Sequence, residues 1–155
     1  MKQGRVLLLA GAGVAGVFSL LVALAGGVQA HKGAQGVVKE RMKLMMRAEK
    51  RMRPIARMAA GKRAFDAETV RRNAQDLMQY AERIPSLFPP GSLKPPSEAA
   101  AAIWQQFDTF RQQAENMRKA SQQLMQAKAQ TLPAAVQKLQ QTCKSCHVRY
   151  RVEKE

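Results

Sequence analysis

Residues 140–151 read "QQTCKSCHVRYR" and hold both cysteines of the chain, Cys143 and Cys146, with one of its two histidines, His147, directly after the second. The flanking pattern is helical. Val136, Leu139, Cys143, Cys146 and Tyr150 alternate steps of three and four residues, the spacing that keeps side chains on one helix face. Both sulfurs therefore leave from that face, and His147 follows about 100° round it. Thiols so placed can add to the two vinyl groups of a haem as thioethers, while the adjacent imidazole reaches the iron as an axial ligand. C-x-x-C-H is the c-type haem attachment signature for that reason. The competing readings lack support. A thioredoxin-type redox pair needs a βαβ setting, and no segment of this chain reads as a strand. Structural zinc needs about four ligands, and beyond Cys143, Cys146 and His147 the chain offers only the remote His31. A disulfide within one helical turn is geometrically poor.

Upstream, good helix formers dominate: Ala, Gln, Met, Lys and Arg. Four segments carry a helical apolar period. In the first, Val38, Met42, Met45, Met52, Ile55 and Ala59 share a stripe that ends at Gly61, and Pro54 is expected to bend the helix or leave a carbonyl unpaired. The second follows Asp66 as N-cap, buries Val70, Ala74, Leu77, Ala81 and Ile84, and stops before Pro85. "PSLFPPGSLKPPS", residues 85–97, has five prolines and is a cross-over loop. Ser97 is expected to cap the third helix, whose stripe runs Ile103, Phe107, Phe110, Ala114, Met117, Ser121 and Leu124. Thr131 and Pro133 open the fourth, which carries the C-x-x-C-H run. Four amphipathic helices imply an all-α, four-helix bundle, with Phe107, Phe110 and Met117 in its core.

The N-terminus reads as an export signal. A basic head, "MKQGR", precedes an apolar Gly-rich run, and small residues stand at the -3 and -1 positions of a cut after Ala30. Left uncleaved, residues 6–25 are long enough to anchor the chain in a bilayer. The bundle then occupies residues 31–155. This part keeps 24 Lys+Arg against 11 Asp+Glu, and ten Lys/Arg with only two Glu fall within residues 39–63. Such charge favours acidic redox partner proteins or an anionic membrane surface, and export argues against nucleic acid. It also opposes packing two copies through the first helix, so monomer and homodimer both stay open. No paired carboxylates or nucleophile constellation point to an enzyme.

The whole of residues 31–155 resembles the class II cytochromes c, that is, cytochrome c′ and its low-spin relatives of the c-556 type. "CKSCHVRYR" is similar to the family's C-terminal motif with its trailing aromatic and Arg, here Tyr150 and Arg151. "LFPPGS", Ile103–Trp104, "VKERMKLM" and "AAGKRAFD" resemble the family's mid-chain loop, third-helix start, first helix and first turn. The resemblance implies an antiparallel up-down-up-down bundle with one haem c, covalent through Cys143 and Cys146, in the bacterial periplasm. It also implies that Arg41 and Arg151 lie near the haem, with Arg41 able to pair a propionate.

The sixth iron position separates two functions. In an up-down-up-down bundle the first helix neighbours the fourth and runs the other way, so it faces His147 across the haem. Its stripe offers Met42 and Met45 there, and the resemblance places Met45 at the position facing the haem. In low-spin relatives a Met there binds iron. In cytochrome c′ an apolar residue, sometimes Met, blocks the site. His147 with Met45 as axial ligands gives an electron carrier. Met45 as a lid gives a five-coordinate protein that binds NO or CO.

Overall fold

The computed structural model describes residues 33–152. The export-signal reading of residues 1–30, and His31, lie outside the described residues. Five helices follow one another: α1 (Gly36–Ala59), α2 (Ala67–Arg83), the single-turn α3 (Ala102–Gln105), α4 (Phe107–Leu124) and α5 (Leu132–Tyr150). Among the described residues there is no strand, only one isolated antiparallel bridge between Ala99 and Arg151. The long helices close a ring in which α1 packs on α2 and α5, and α4 packs on the other sides of α2 and α5. This is the four-helix bundle that the apolar periods imply.

Local chemistry sets the helix ends. Asp66 accepts from the backbone N–H groups of Glu68 and Thr69 and so caps α2. α1 ends in a Schellman turn. Lys62 N–H bonds Arg57 O at 2.8 Å and Gly61 N–H bonds Met58 O at 3.0 Å, with Gly61 at φ +68. Pro54 lies inside α1, where its missing N–H deprives the Lys50 carbonyl of a helical donor. Ile55, Leu77, Leu124, Leu132 and Leu139 are buried in the core, each stabilising the fold by roughly 1.5–3 kcal/mol.

Three expectations need correction. The stripe buried by α1 is Val38, Arg41, Leu44, Ile55 and Met58. Met42, Met45, Met52 and Ala59 are only half-buried. The third helix is interrupted at Gln106, whose non-helical backbone (φ -134, ψ 45) separates α3 from α4. Ser97 caps no helix. Its hydroxyl accepts from Ala99 N–H and from Arg41. The cross-over segment opens with a 3-10 turn, Pro85–Leu87, and is pinned by Trp104, whose indole N–H donates to the carbonyls of Phe88 at 3.0 Å and Pro89 at 3.1 Å. At its far end it pairs with the exit of α5. Ala100 N–H bonds Tyr150 O at 2.9 Å, and Val152 N–H bonds Glu98 O at 2.8 Å.

Candidate haem-binding site

The rotated stripe of α1 has a cause. Leu44 turns into the bundle, and Met42, Met45, Met46 and Glu49 turn toward a cavity of about 510 Å³ between α1 and α5, which the buried Arg41 also lines. From α5 the cavity takes Cys146, His147 and Tyr150, and from its C-cap Arg151; Ile84, Phe88, Ala99, Ile103 and Phe110 supply its apolar wall. The volume lies in the range of small-molecule and cofactor sites, and so does the pattern of an apolar wall with a few polar groups.

Arg41 is the most engaged polar side chain of the site. It is 4% exposed. One Nη donates to Leu87 O at 3.5 Å and Ser92 Oγ at 3.0 Å; the other donates to Ser92 O at 2.6 Å and to Ser97 Oγ. The guanidinium also lies over the Phe88 ring, 4.6 Å from its centroid. All its acceptors are neutral, and burial lowers its pKa. The four Nη hydrogens are thus spent on the cross-over loop. Nε–H is the donor that makes no hydrogen bond among the described residues.

Arg151 sits at the end of α5 and is held by Glu98, with Nη2–Oε2 at 2.7 Å and Nε–Oε2 at 2.9 Å. His147 is exposed at the cavity. The surrounding protein, and after it the charge of Arg151, lower its pKa. A neutral imidazole with a free lone pair is what a metal requires. Burial pushes the Cys143 thiol up, and burial together with Cys143 pushes Cys146 to about 11. Reactive redox cysteines are shifted the other way. Both are free and half-buried.

The residues present fit a covalently held haem. The Cys146 thiol, an accessible imidazole and an apolar wall face the cavity, with the Cys143 thiol one turn away on the same helix, and the Met42 and Met45 thioethers come from α1. The structure brings Arg41, Met45, Cys146, His147 and Arg151 to one cavity; Cys143 stands one turn before Cys146 and is not on its wall. Phe110, expected as plain core, lines the cavity as well as the core. Phe88, Phe110 and Tyr150 form an edge-to-face series with centroids 4.9 and 5.2 Å apart. The Tyr150 hydroxyl is buried and has no hydrogen-bond partner among the described residues. Sequence reasoning missed Ser92 and Ser97 as partners of Arg41 and Glu98 as partner of Arg151. Their one signal was the density of Ser in a loop that must satisfy its own polar groups.

The sequence model of the Cytochrome C′ family matches residues 36–151. Over 122 residues the chain is 32% identical to a cytochrome c-556 of Agrobacterium tumefaciens (strain II Chrys), an alignment covering 77% of this chain and 99% of that one. Over 108 residues it is 33% identical to a cytochrome c′ of Cereibacter sphaeroides, covering 65% and 72%. Among solved structures it resembles a cytochrome c′ from Rhodobacter Spheriodes, with a TM-score of 0.70 at 34% identity over 76% of this chain and 96% of that one.

Proposed function

Because the chain belongs to the cytochrome c′ family and so carries covalently attached haem c, we propose that it is a periplasmic carrier of single electrons between redox partners, with His147 and Met45 as axial ligands of the iron. The haem supplies the one-electron iron couple. Cys143 and Cys146 anchor the group to α5. His147 offers a neutral imidazole from the same helix, and Met45 offers a thioether from the neighbouring one. Arg41 gives positive charge, and Nε–H as its uncommitted donor, to the propionates. Arg151, through Glu98, ties the end of α5 to the loop that walls the site. Residues 1–30 direct export to the compartment where haem attachment occurs.

The observation that carries this reading is that Met45 and His147 line one cavity from adjacent helices. Met/His ligation is the pattern of electron-carrying cytochromes c, and a filled sixth position lets the iron change oxidation state with little ligand movement. Met45→Ala tests it. The variant should become high-spin and bind CO, while Met42→Ala and Met46→Ala keep the parent spectrum. The second reading, a five-coordinate protein for NO or CO, draws on the relatives named cytochrome c′ and on Met45 being half-buried, as a lid would be. It requires the unmutated protein to be high-spin already.

A further inference from the structure

The cavity mouth adjoins a straight basic strip. At 100° per residue, Lys39, Lys43, Met46, Lys50 and Arg57 fall within about 60° of one another round α1, and at 1.5 Å per residue they span about 27 Å. All five are exposed. Of the other cations of the helix, Arg51 pairs with Asp76 at 2.6 Å and Arg53 with Glu49 at 2.7 Å, Arg41 is buried on neutral acceptors, and the exposed Arg47 lies about 40° outside the strip. Lys39, Lys43, Lys50 and Arg57 make no ion pair among the described residues. Met46, in the middle of the strip, is 43% exposed and also lines the cavity. An apolar contact at the mouth of a redox site, flanked by uncompensated like charges, is the layout of a docking face with an apolar centre and a charged rim.

We propose that Lys39, Lys43, Lys50 and Arg57, with Met46 at their centre, form the docking strip for a partner protein that presents a row of carboxylates. This deepens the electron-carrier reading and rests on it. Two features favour a protein over a lipid surface. No Trp or Tyr is exposed among the described residues, so the aromatic anchors of membrane-interface binding are missing. Lys39, Lys43, Lys50 and Arg57 also run in file along the helix, which matches a ridge of carboxylates better than a plane of head groups.

The test uses the full haem-loaded protein and three probes: an oligoglutamate peptide, vesicles of phosphatidylserine and phosphatidylcholine, and the anionic oxidant ferricyanide. One variant carries Lys39→Gln, Lys43→Gln, Lys50→Gln and Arg57→Gln. A control removes the same charge elsewhere, at Arg71, Arg72, Arg111 and Lys119. The strip variant should lose oligoglutamate binding and slow ferricyanide oxidation about tenfold at low ionic strength, the scale of electrostatic steering, while the control stays within about twofold of the parent. Equal losses in both variants would reduce the effect to net charge and overturn the proposal. So would strip-dependent binding to the vesicles with none to the peptide. Spin state and CO uptake are read on the same samples. A high-spin parent that still binds the peptide through the strip removes the carrier reading and leaves the docking strip standing.

Discussion

Arg41 shows how one side chain couples fold and site. Its four Nη hydrogens reach three positions of the cross-over loop, and that loop brings Phe88 and Glu98 to the cavity. Arg41→Ala should therefore destabilise the haem-loaded protein by about 2–4 kcal/mol in denaturant melts, since buried acceptors lose charged donors. Arg41→Lys should recover little of this, because a point charge cannot span acceptors arranged for a planar fork. Full rescue by Lys would show that only the charge matters. The role of Arg41 as a clasp was not legible in the sequence. A lone Arg on an apolar stripe gives no sign of which distant serines will meet it. The C-x-x-C-H run was legible because its chemistry is local: two thiols and an imidazole within five residues.

At the scale of the element, α2 followed its sequence signals from cap to stop. Asp66 caps it, Val70, Ala74, Leu77 and Ala81 are buried, and Pro85 stands just past its end. The reading of α1 was rotated for a physical reason. Periodicity finds the apolar side of a helix but cannot tell a face packed on protein from one reserved for a cofactor. Met42 and Met45 line the cavity, Leu44 packs on protein, and Arg41 does both. The break at Gln106 was hidden because the stripe of Ile103, Phe107 and Phe110 keeps its spacing across it. Where α1 turns back, the Schellman turn holds Gly61 at φ +68. Gly61→Ala should lower stability by about 1–2 kcal/mol in thermal or denaturant unfolding through left-handed strain. The haem spectrum should not change, since the turn is not part of the cavity wall.

For the molecule as a whole, the bundle surrounds a cavity of about 510 Å³ that reaches from α1 to α5, so cofactor and fold should depend on one another. Expressed with export and haem-attachment machinery, Cys143→Ala or Cys146→Ala should cut the haem absorbance per protein several-fold, and the colourless fraction should unfold at lower denaturant. A colourless chain as stable as the red one would separate the fold from the haem. The basic face of α1 should also keep copies apart across that helix. In the proposed carrier, Met45 completes the coordination of an iron held by His147. The optical and spin-state spectrum of the unmutated haem-loaded protein, in both oxidation states and with and without CO, decides this. The iron should be low-spin in both states, and its reduced spectrum should barely respond to CO. A high-spin iron that takes up CO readily would contradict that ligation and leave Met45 as the lid of a gas-binding site.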